Sequence, residues 1–184
     1  MAIKFQYNKT SLQQLEKQLK VRERSLPTIK SKESALRIEV KRTKDEVRSL
    51  ELQLEEEIRS YENMVALWNE FNPSLIKVKD VTLSTRKIAG VLVPVLNDIE
   101  FEIGTYSLFN SPSWYADGIE LLKVLARTGI EAEFSGMQLE LLEHARKKTT
   151  QKVNLFEKVQ IPGYKDALRK VKRFMEDAGS LSKS

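Results

Sequence analysis

The sequence contains no cysteine and only one histidine, His144, among its 184 residues. Without cysteine the chain can form no disulfide and offers no thiolate ligand to a metal, and this composition is typical of a reducing, cytoplasmic setting. A lone histidine between charged residues is the usual pattern of a surface or interhelical position. We therefore expect no metal site and no cofactor.

Glycine is also scarce, at 7 residues, and no phosphate-binding loop of the type G-x-x-x-x-G-K-S/T occurs. No apolar run approaches the ~20 residues of a membrane span, and the first residues lack the apolar core of a signal peptide. The adjacent acids Glu55, Glu56 and Glu57 point in different directions on a helix, which favours a solvated face over a metal site. We expect a soluble protein that is not an enzyme.

Charged residues make up 31% of the chain and are distributed unevenly. Residues 1–48 carry 13 Lys or Arg against 6 Asp or Glu, and residues 145–184 carry 11 against 4. The segment between them, 49–144, carries 7 basic and 16 acidic residues. A fold that brings the two ends together therefore has one basic tip.

An apolar side chain recurs at alternating steps of three and four residues through the N-terminal part of the chain. Thirteen of the seventeen positions on this stripe are apolar, and the residues between them are mostly charged or polar. A stripe this narrow and long is typical of a coiled-coil seam. The apolar positions are Leu12, Leu15, Leu19, Leu26, Ile29, Leu36, Val40, Val47, Leu50, Leu54, Tyr61, Met64 and Trp68.

This seam predicts that residues 1–70 form a long N-terminal helix, with Asn8 or Thr10 as its cap and Pro73 as the first stop signal. A helix of ~60 residues is ~90 Å long at 1.5 Å per residue, so it must project. Four polar residues interrupt the seam, and Glu57 is one of them. We expect the other three to fix helix register, as buried polar residues do in coiled coils. They are Arg22, Glu33 and Thr43.

Residues 71–117 differ in composition and predict a central insertion. The β-branched run Arg86–Val95 is followed by Asn97–Asp98 and then by the alternating run Ile99–Ile103. Two such runs around an Asn-Asp pair predict a β-hairpin over about residues 86–103.

Gly90 and Pro94 occupy irregular edge positions in this hairpin, and residues 110–113 predict a loop. The hairpin either covers the base of the coiled coil or projects as a contact for another protein, and the sequence leaves both alternatives open. Three aromatic residues, Trp68, Trp114 and Tyr115, flank the insertion as core or docking residues.

The helical period returns after the insertion and predicts a C-terminal helix over residues 118–184, with a break near 128–136 because Gly129 and Gly136 weaken it. Its seam changes phase before Pro162–Gly163, and since proline removes a hydrogen bond we expect a kink at Pro162. The seam positions here are Val153, Phe156, Ile161, Tyr164, Leu168, Val171 and Met175.

Neither stripe is stable alone, because each buried seam side chain contributes roughly 1.5–3 kcal/mol only when something covers it. We therefore predict a mainly α fold, in which the N- and C-terminal helices form a long antiparallel two-helix coiled coil, with a small central β-hairpin and short helices. Pairing residue i with about 186 − i places Leu19 beside roughly Leu168, and Pro27 near the level of Pro162. Two helix breakers at one level predict a shared bend.

Three stretches resemble segments of a known family. Thr28–Leu36 is similar to a Leu-Leu-Lys-x-Lys-Arg-Asp-x-Leu segment, and Ile88–Pro94 to Gly-Val-x-Val-Pro. The most specific, Lys147–Pro162, resembles Arg-Arg-Val-Asn-Ala-Leu-Glu-x-x-x-Ile-Pro. The matching residues of this third stretch are Lys152, Val153, Asn154, Glu157, Ile161 and Pro162. The sequence thus resembles the D subunit of the V-type and A-type rotary ATPases over most of its length; Pro27, Glu33 and Gly163 depart from the family's pattern.

The resemblance implies a non-catalytic central-stalk rotor shaft, which couples ATP hydrolysis or synthesis in a hexamer of A and B subunits to ion transport through the membrane ring. It implies further contacts with the F subunit of the stalk and with the membrane-ring adaptor, which is the C or d subunit. The expected location is the cytoplasm, peripheral to the membrane as part of the ATPase complex, with no direct membrane insertion and no nucleic-acid partner.

A basic cluster on the C-terminal helix covers one and a half turns, and further basic residues lie nearby on the predicted pairing. The cluster is either an ordinary solubilising surface or a collar that meets acidic loops lining the hexamer, through exposed pairs of ~0–1 kcal/mol each. Asn154 lies beside seam residue Val153, where we expect a polar residue to fix helix register. Together with Asn154 and the hairpin positions, the candidate partner contacts are Lys30, Lys32, Arg146, Lys147, Lys148, Lys152, Asn154, Glu157, Gly90 and Pro94.

Two other functions compete with the rotor shaft. One is a cytoplasmic coiled-coil scaffold or tether that forms its own dimers. The other is a nucleic-acid-binding rod, which is disfavoured because aromatic residues that would stack on bases are not interleaved with the basic ones.

Overall fold

The computed structural model describes residues 3–67, 72–106 and 114–183, and there the chain is mainly helical with one two-stranded hairpin, which confirms the predicted fold class. The elements are helix α1 (Lys9–Leu67), strands β1 (Ile76–Ile88) and β2 (Val91–Ile103), and helices α2 (Tyr115–Asn154) and α3 (Ile161–Lys183). A 3-10 turn (Pro73–Leu75) precedes β1, and a π-helical segment (Leu155–Gln160) joins α2 to α3. Trp68 and the loop predicted at 110–113 lie outside the described residues.

The chain divides into two compact units. Unit 1 comprises Met1–Arg37 and Ala145–Ser184, and unit 2 comprises Ile38–His144. The predicted segments 1–70, 71–117 and 118–184 follow the helices and the hairpin, whereas the compact units divide both α1 and α2. In none of the described helices is there a stretch long and apolar enough to cross a membrane.

In unit 1, α1 and α3 lie antiparallel around a core whose buried members are Leu15, Ala167, Leu168 and Val171. Three ion pairs cross between the N-terminal part of α1 and the C-terminal helical segments. They join Glu16 to Lys172 at 3.8 Å, Glu23 to Lys165 at 3.9 Å and Lys30 to Glu157 at 2.7 Å. The two numbers of each pair add to 187 or 188, so the predicted antiparallel register is confirmed. Every seam residue that the structure describes is buried or half-buried.

The two prolines of unit 1 lie at one level, as predicted. Pro27 lies inside α1, between Glu23 and Lys30, and the partners of these two residues, Lys165 and Glu157, bracket Pro162. Neither proline ends its helix, because α1 runs on to Leu67 and α3 runs through Pro162.

The irregularity predicted at Pro162 takes the form of the π-helical segment just before it. The amide of Ile161 donates to the carbonyl of Phe156, five residues back. A π turn holds about one residue more than an α turn, so the five-residue step keeps both side chains on the seam. This accounts for the change of phase in the sequence.

Helix α2 is continuous, so the predicted break near residues 128–136 is wrong. Gly129 and Gly136 each cost about 1 kcal/mol relative to alanine in a helix. That cost is outweighed because Phe134 and Ser135 are buried between them, and burial of a large aromatic side chain alone contributes roughly 1.5–3 kcal/mol.

The hairpin is longer than predicted, and its predicted turn is in the wrong place. The chain turns at Ala89 and Gly90, which have φ angles of +49° and +82°. Two consecutive left-handed residues suit a two-residue hairpin turn, whose twist matches that of the strands. Asn97 and Asp98 favour turns on their own, but here they lie inside β2, beside a shift in register.

Candidate partner-binding surfaces

Unit 1 carries most of the positive charge of the chain. Residues 1–37 contain 9 Lys or Arg against 3 Asp or Glu, and residues 145–184 contain 11 against 4. Unit 2, residues 38–144, is acidic, with 11 basic and 19 acidic residues. Because most acids of unit 1 already pair with lysine or arginine, most of its remaining described cations are exposed as an excess of one sign.

The residues predicted to form a basic collar are mostly exposed. The exposed ones are Lys30, Lys32, Lys147, Lys148 and Lys152. The ammonium of Lys152 also lies 5.7 Å from the ring centre of Phe156, a cation–π distance. Arg146 is half-buried, and its Nη1 donates to Thr150 Oγ1 at 3.3 Å. Of the four cations in the basic cluster on α2, Lys147, Lys148 and Lys152 are therefore accessible to an acidic partner.

Lys30 and Glu157, both candidate partner contacts, bind each other at 2.7 Å. Their side chains stay 51% and 43% exposed, so the pair contributes no more than ~0–1 kcal/mol. Asn154 is exposed, so the register-fixing role predicted from its place beside Val153 is wrong. Whether Lys30, Asn154 and Glu157 also contact a partner stays a prediction.

Arg22 is the polar seam residue that crosses between the helices. Its Nε donates to Gln160 Oε1 at 2.7 Å, and its guanidinium carbon lies 4.7 Å from the ring centre of Tyr164 and 5.8 Å from that of Phe156. Its Nη1 donates to Gln18, at 2.7 Å to the side chain and 3.1 Å to the carbonyl. Arg22 thus ties α1 to the π-helical segment and to α3.

Glu33 and Thr43 are the other two residues expected to fix helix register, and the contacts described for them stay within α1. Glu33 pairs with Arg37, one turn on, at 2.8 Å. Thr43 is buried, and its hydroxyl donates to the carbonyl of Glu39 at 2.8 Å. Sequence spacing alone does not show that Arg22, unlike Glu33 and Thr43, contacts the opposite helical strand. Its partner Gln160 lies in the π-helical segment, which the spacing does not predict.

Among the residues that the structure describes, two titratable groups have a shifted pKa. The hydrogen bond from Lys170, and next the one from Arg169, holds the pKa of Asp166 below its usual value. In unit 2, burial raises the pKa of Tyr61, which packs against the buried pair Met64 and Ile119. Trp114 and Tyr115 pack on the same core, their ring centres 5.1 Å apart, so they serve as core residues.

The inner face of the hairpin is attached to α2. Val93 and Ile99 are buried, and Gln138 Nε2 on α2 donates to the carbonyl of Pro94 at 2.7 Å. Pro94 is half-buried and is thus part of this attachment, whereas Gly90 is exposed at the turn.

The outer face of the hairpin remains open. Leu83 and Leu92 are 56% and 59% exposed. The hairpin therefore covers α2 with one face. Its other face is exposed, so the alternative that the hairpin contacts another protein remains open. In the described parts of the chain, no three His, Asp or Glu residues are grouped so that they could hold a metal ion.

The sequence also matches the model of one protein family over most of the chain. Residues 11–180 match the family model that describes the D subunit of ATP synthase, and this range covers most of unit 1 and all of unit 2, including the hairpin. The chain belongs to the ATP synthase D-subunit family.

Several relatives within this D-subunit family match along most of their length. The V-type ATP synthase D subunit of Borreliella burgdorferi is 32% identical over 176 residues, which is 95% of this chain and 87% of the relative. The protein of the same name from Chlamydia pneumoniae is 28% identical over 186 residues, with 96% and 87% covered, and that of Chlamydia muridarum is 28% identical over 157 residues, with 83% and 77% covered. The D-subunit family comprises central-stalk subunits of rotary ATPases, and this chain is one of them.

Proposed function

We propose that the chain is the rotor shaft of a V-type rotary ATPase, and that it couples ATP hydrolysis or synthesis to ion transport by carrying torque. In this role it does no chemistry itself. The A and B subunits form the hexamer around it, the F subunit of the stalk binds beside it, and the adaptor, the C or d subunit, joins it to the membrane ring. Its place in the cell is then the cytoplasmic side of the membrane, within the complex.

The observation that carries this proposal is the repeated coupling of the two helical strands in unit 1. Between Glu16 and Lys30, three ion pairs and the Arg22 contacts join α1 to its antiparallel neighbours. A pair of helices coupled at every second or third turn resists sliding and unwinding, which is what transmission of torque requires.

The exposed cations of unit 1 are the proposed contact with the hexamer. Lys147 and Lys148 extend from α2 into solvent, and Lys32 does so from α1. Exposed ion pairs contribute only ~0–1 kcal/mol each. Contacts this weak suit a rotor, because each must release as the shaft turns.

Binding to a purified A/B hexamer tests this role. We expect the double variant Lys147→Glu/Lys148→Glu to bind roughly tenfold more weakly, since two attractive contacts become repulsive. The matched control reverses two exposed lysines of the hairpin, Lys77→Glu/Lys79→Glu, and should leave hexamer affinity unchanged. Equal affinities of the two double variants would rule out the collar, and failure of the wild-type chain to bind the hexamer would rule out the shaft.

The scaffold alternative predicts a parallel dimer in place of a paired single chain. Leu19 packs against the core that contains Leu168, so a Leu19→Cys/Leu168→Cys variant should form its disulfide within one chain. Efficient links between chains through position 19 would favour the scaffold. Tight binding to duplex DNA at physiological salt would favour the nucleic-acid rod.

A further inference from the structure

The segment Ile3–Asn8, ahead of α1, lies against the core of unit 1. Ile3 and Phe5 are half-buried and pack on that core, whereas Lys4 and Gln6 are exposed. This alternation is the period of two that an extended chain shows when one side faces a surface. The segment therefore makes a regular contact with the helix pair.

The other end of the segment is fixed where the chain reverses into α1. Asn8 Oδ1 accepts a hydrogen bond from the amide of Ser11 at 2.8 Å, which confirms Asn8 as the predicted cap. The amide of Gln6 donates to Ser11 Oγ at 2.9 Å. The ring of Tyr7 lies 5.1 Å from that of Phe174 on α3, between ring centres. The segment thus touches both helices of the pair.

Gly163 provides the seat for the first residue of this segment. A Cβ atom at Gly163 would lie 2.8 Å from Ile3 Cδ1, closer than such atoms approach in proteins, whereas Ile3 Cγ1 lies at 3.8 Å. Glycine is a poor helix former, and position 163 is inside α3, so its presence there has a local cost. The absent side chain makes room for Ile3.

We propose that Ile3–Asn8 is a latch, which holds the N-terminal part of α1 against α3, and that Gly163 is the notch that receives it. The latch covers the seam of unit 1 from one side and resists separation of the two helices. The inference stands on unit 1 alone and does not depend on the role of the chain in an ATPase.

Trypsin cleavage after Lys4, followed by mass spectrometry, measures release of the latch. A seated segment is a poor protease substrate, because cleavage requires local opening. We expect Gly163→Ala to raise the rate of cleavage after Lys4 by about threefold or more, since the new Cβ displaces Ile3. Adding Ile3→Val removes only the clashing Cδ1, so the double variant should return towards the wild-type rate.

Gly129→Ala and Gly136→Ala are matched controls, because both positions are helical and open. They should leave the rate after Lys4 unchanged, and cleavage after Lys17, inside α1, should stay slow in every variant. Tyr7→Ala, which keeps Gly163, should also speed cleavage after Lys4. A wild-type rate in both Gly163→Ala and Tyr7→Ala, or no recovery on adding Ile3→Val, would overturn the latch.

Discussion

Arg22 occupies a seam position, where an isolated charge would be costly to bury. It is half-buried, and its neighbours supply two aromatic rings and two glutamine side chains. The guanidinium plane suits stacking on Tyr164 while its edge donates to Gln160, a combination that lysine does not offer. A position that interrupts the seam in sequence therefore contributes to helix pairing.

Replacing Arg22 with alanine should lower the free energy of unfolding by about 1–3 kcal/mol, through loss of the cation–π contacts and of the cross-helix hydrogen bond to Gln160. Arg24→Ala is the control, because Arg24 is exposed on the same helix, and its effect should stay within about 0.5 kcal/mol. Urea unfolding of both variants gives the comparison. Equal losses would contradict the role assigned to Arg22.

Asp166 gives a prediction on pH. Since its folded-state pKa is lowered, chiefly by Lys170 and also by Arg169, its contribution to stability is present above the unfolded pKa of about 3.9 and is lost as pH falls through the lower folded value. Carboxyl NMR should show titration of Asp166 below that of an unpaired aspartate. Lys170→Met should move its midpoint upward, whereas an unchanged midpoint would count against the pairing.

The hairpin turn and the π turn show how two elements accommodate positions that ordinary strand or helix geometry would not. At the hairpin turn, Ala89 adopts a left-handed backbone conformation although it has a side chain, and Gly90, which has none, follows in the same conformation. At the helix, one extra residue is absorbed in Leu155–Gln160 ahead of Pro162. In both elements the backbone, and not the side-chain pattern, decides the local structure.

Substitutions at the two residues of the hairpin turn should change the stability of the protein in opposite directions. Gly90→Ala should lower stability by about 1–2 kcal/mol, because it places a Cβ on a left-handed residue. Ala89→Asn should raise stability by a few tenths to about 1 kcal/mol, since Asn-Gly is the preferred pair in such turns. Thermal unfolding measures both, and a stabilising Gly90→Ala would exclude the turn described.

The π turn predicts an unusual tolerance of deletion. Removing the exposed residue Val159 shortens the step from Phe156 to Ile161 to four residues, the spacing of an α-helix, and keeps α3 on the seam. Removing the exposed residue Lys147 instead shifts Val153 off the seam. We expect the first variant to melt well above the second by circular dichroism, and similar melting temperatures would contradict the π register.

The whole molecule combines a strongly basic unit with an acidic one, although its formal net charge is only +5. A polyanion should therefore bind residues 1–37 and 145–184 and leave 38–144 untouched. With heparin at low salt, NMR shifts should be confined to the first two segments and should vanish above roughly 0.3 M salt as screening sets in. Shifts spread evenly over both units would contradict a local basic surface.

The parts of the fold that sequence predicted are those governed by periodicity. The seam from Leu12 onward and its register against Leu168 follow from burial at steps of three and four. The hairpin turn was misplaced because Asn97–Asp98 has stronger local turn preferences than Ala89–Gly90, and pairing along two strands of 13 residues each overrides them. The continuous α2 was missed because helix propensity is weaker than packing.

Among the candidate contact residues, the sequence predicts solvent exposure better than it predicts which side chains pair with each other. Lys147 and Lys148 are solvent-facing as the charge pattern indicated, but the pairing of Lys30 with Glu157 depends on the exact level of two distant segments. The sequence predicted the cap at Asn8 but not the packing of Ile3 and Phe5 on the helix pair. Residues 3–8 are too few to show a periodic signal, and Ile3 packs where Gly163 has no side chain.

The exposed hairpin turn is also a suitable site for attaching a single label. Because the chain contains no cysteine, one introduced at exposed Lys87, beside the turn, would be its sole thiol. A dye or bead coupled there would report the orientation of this element in single-molecule recordings, with no background from other labelling sites on this chain.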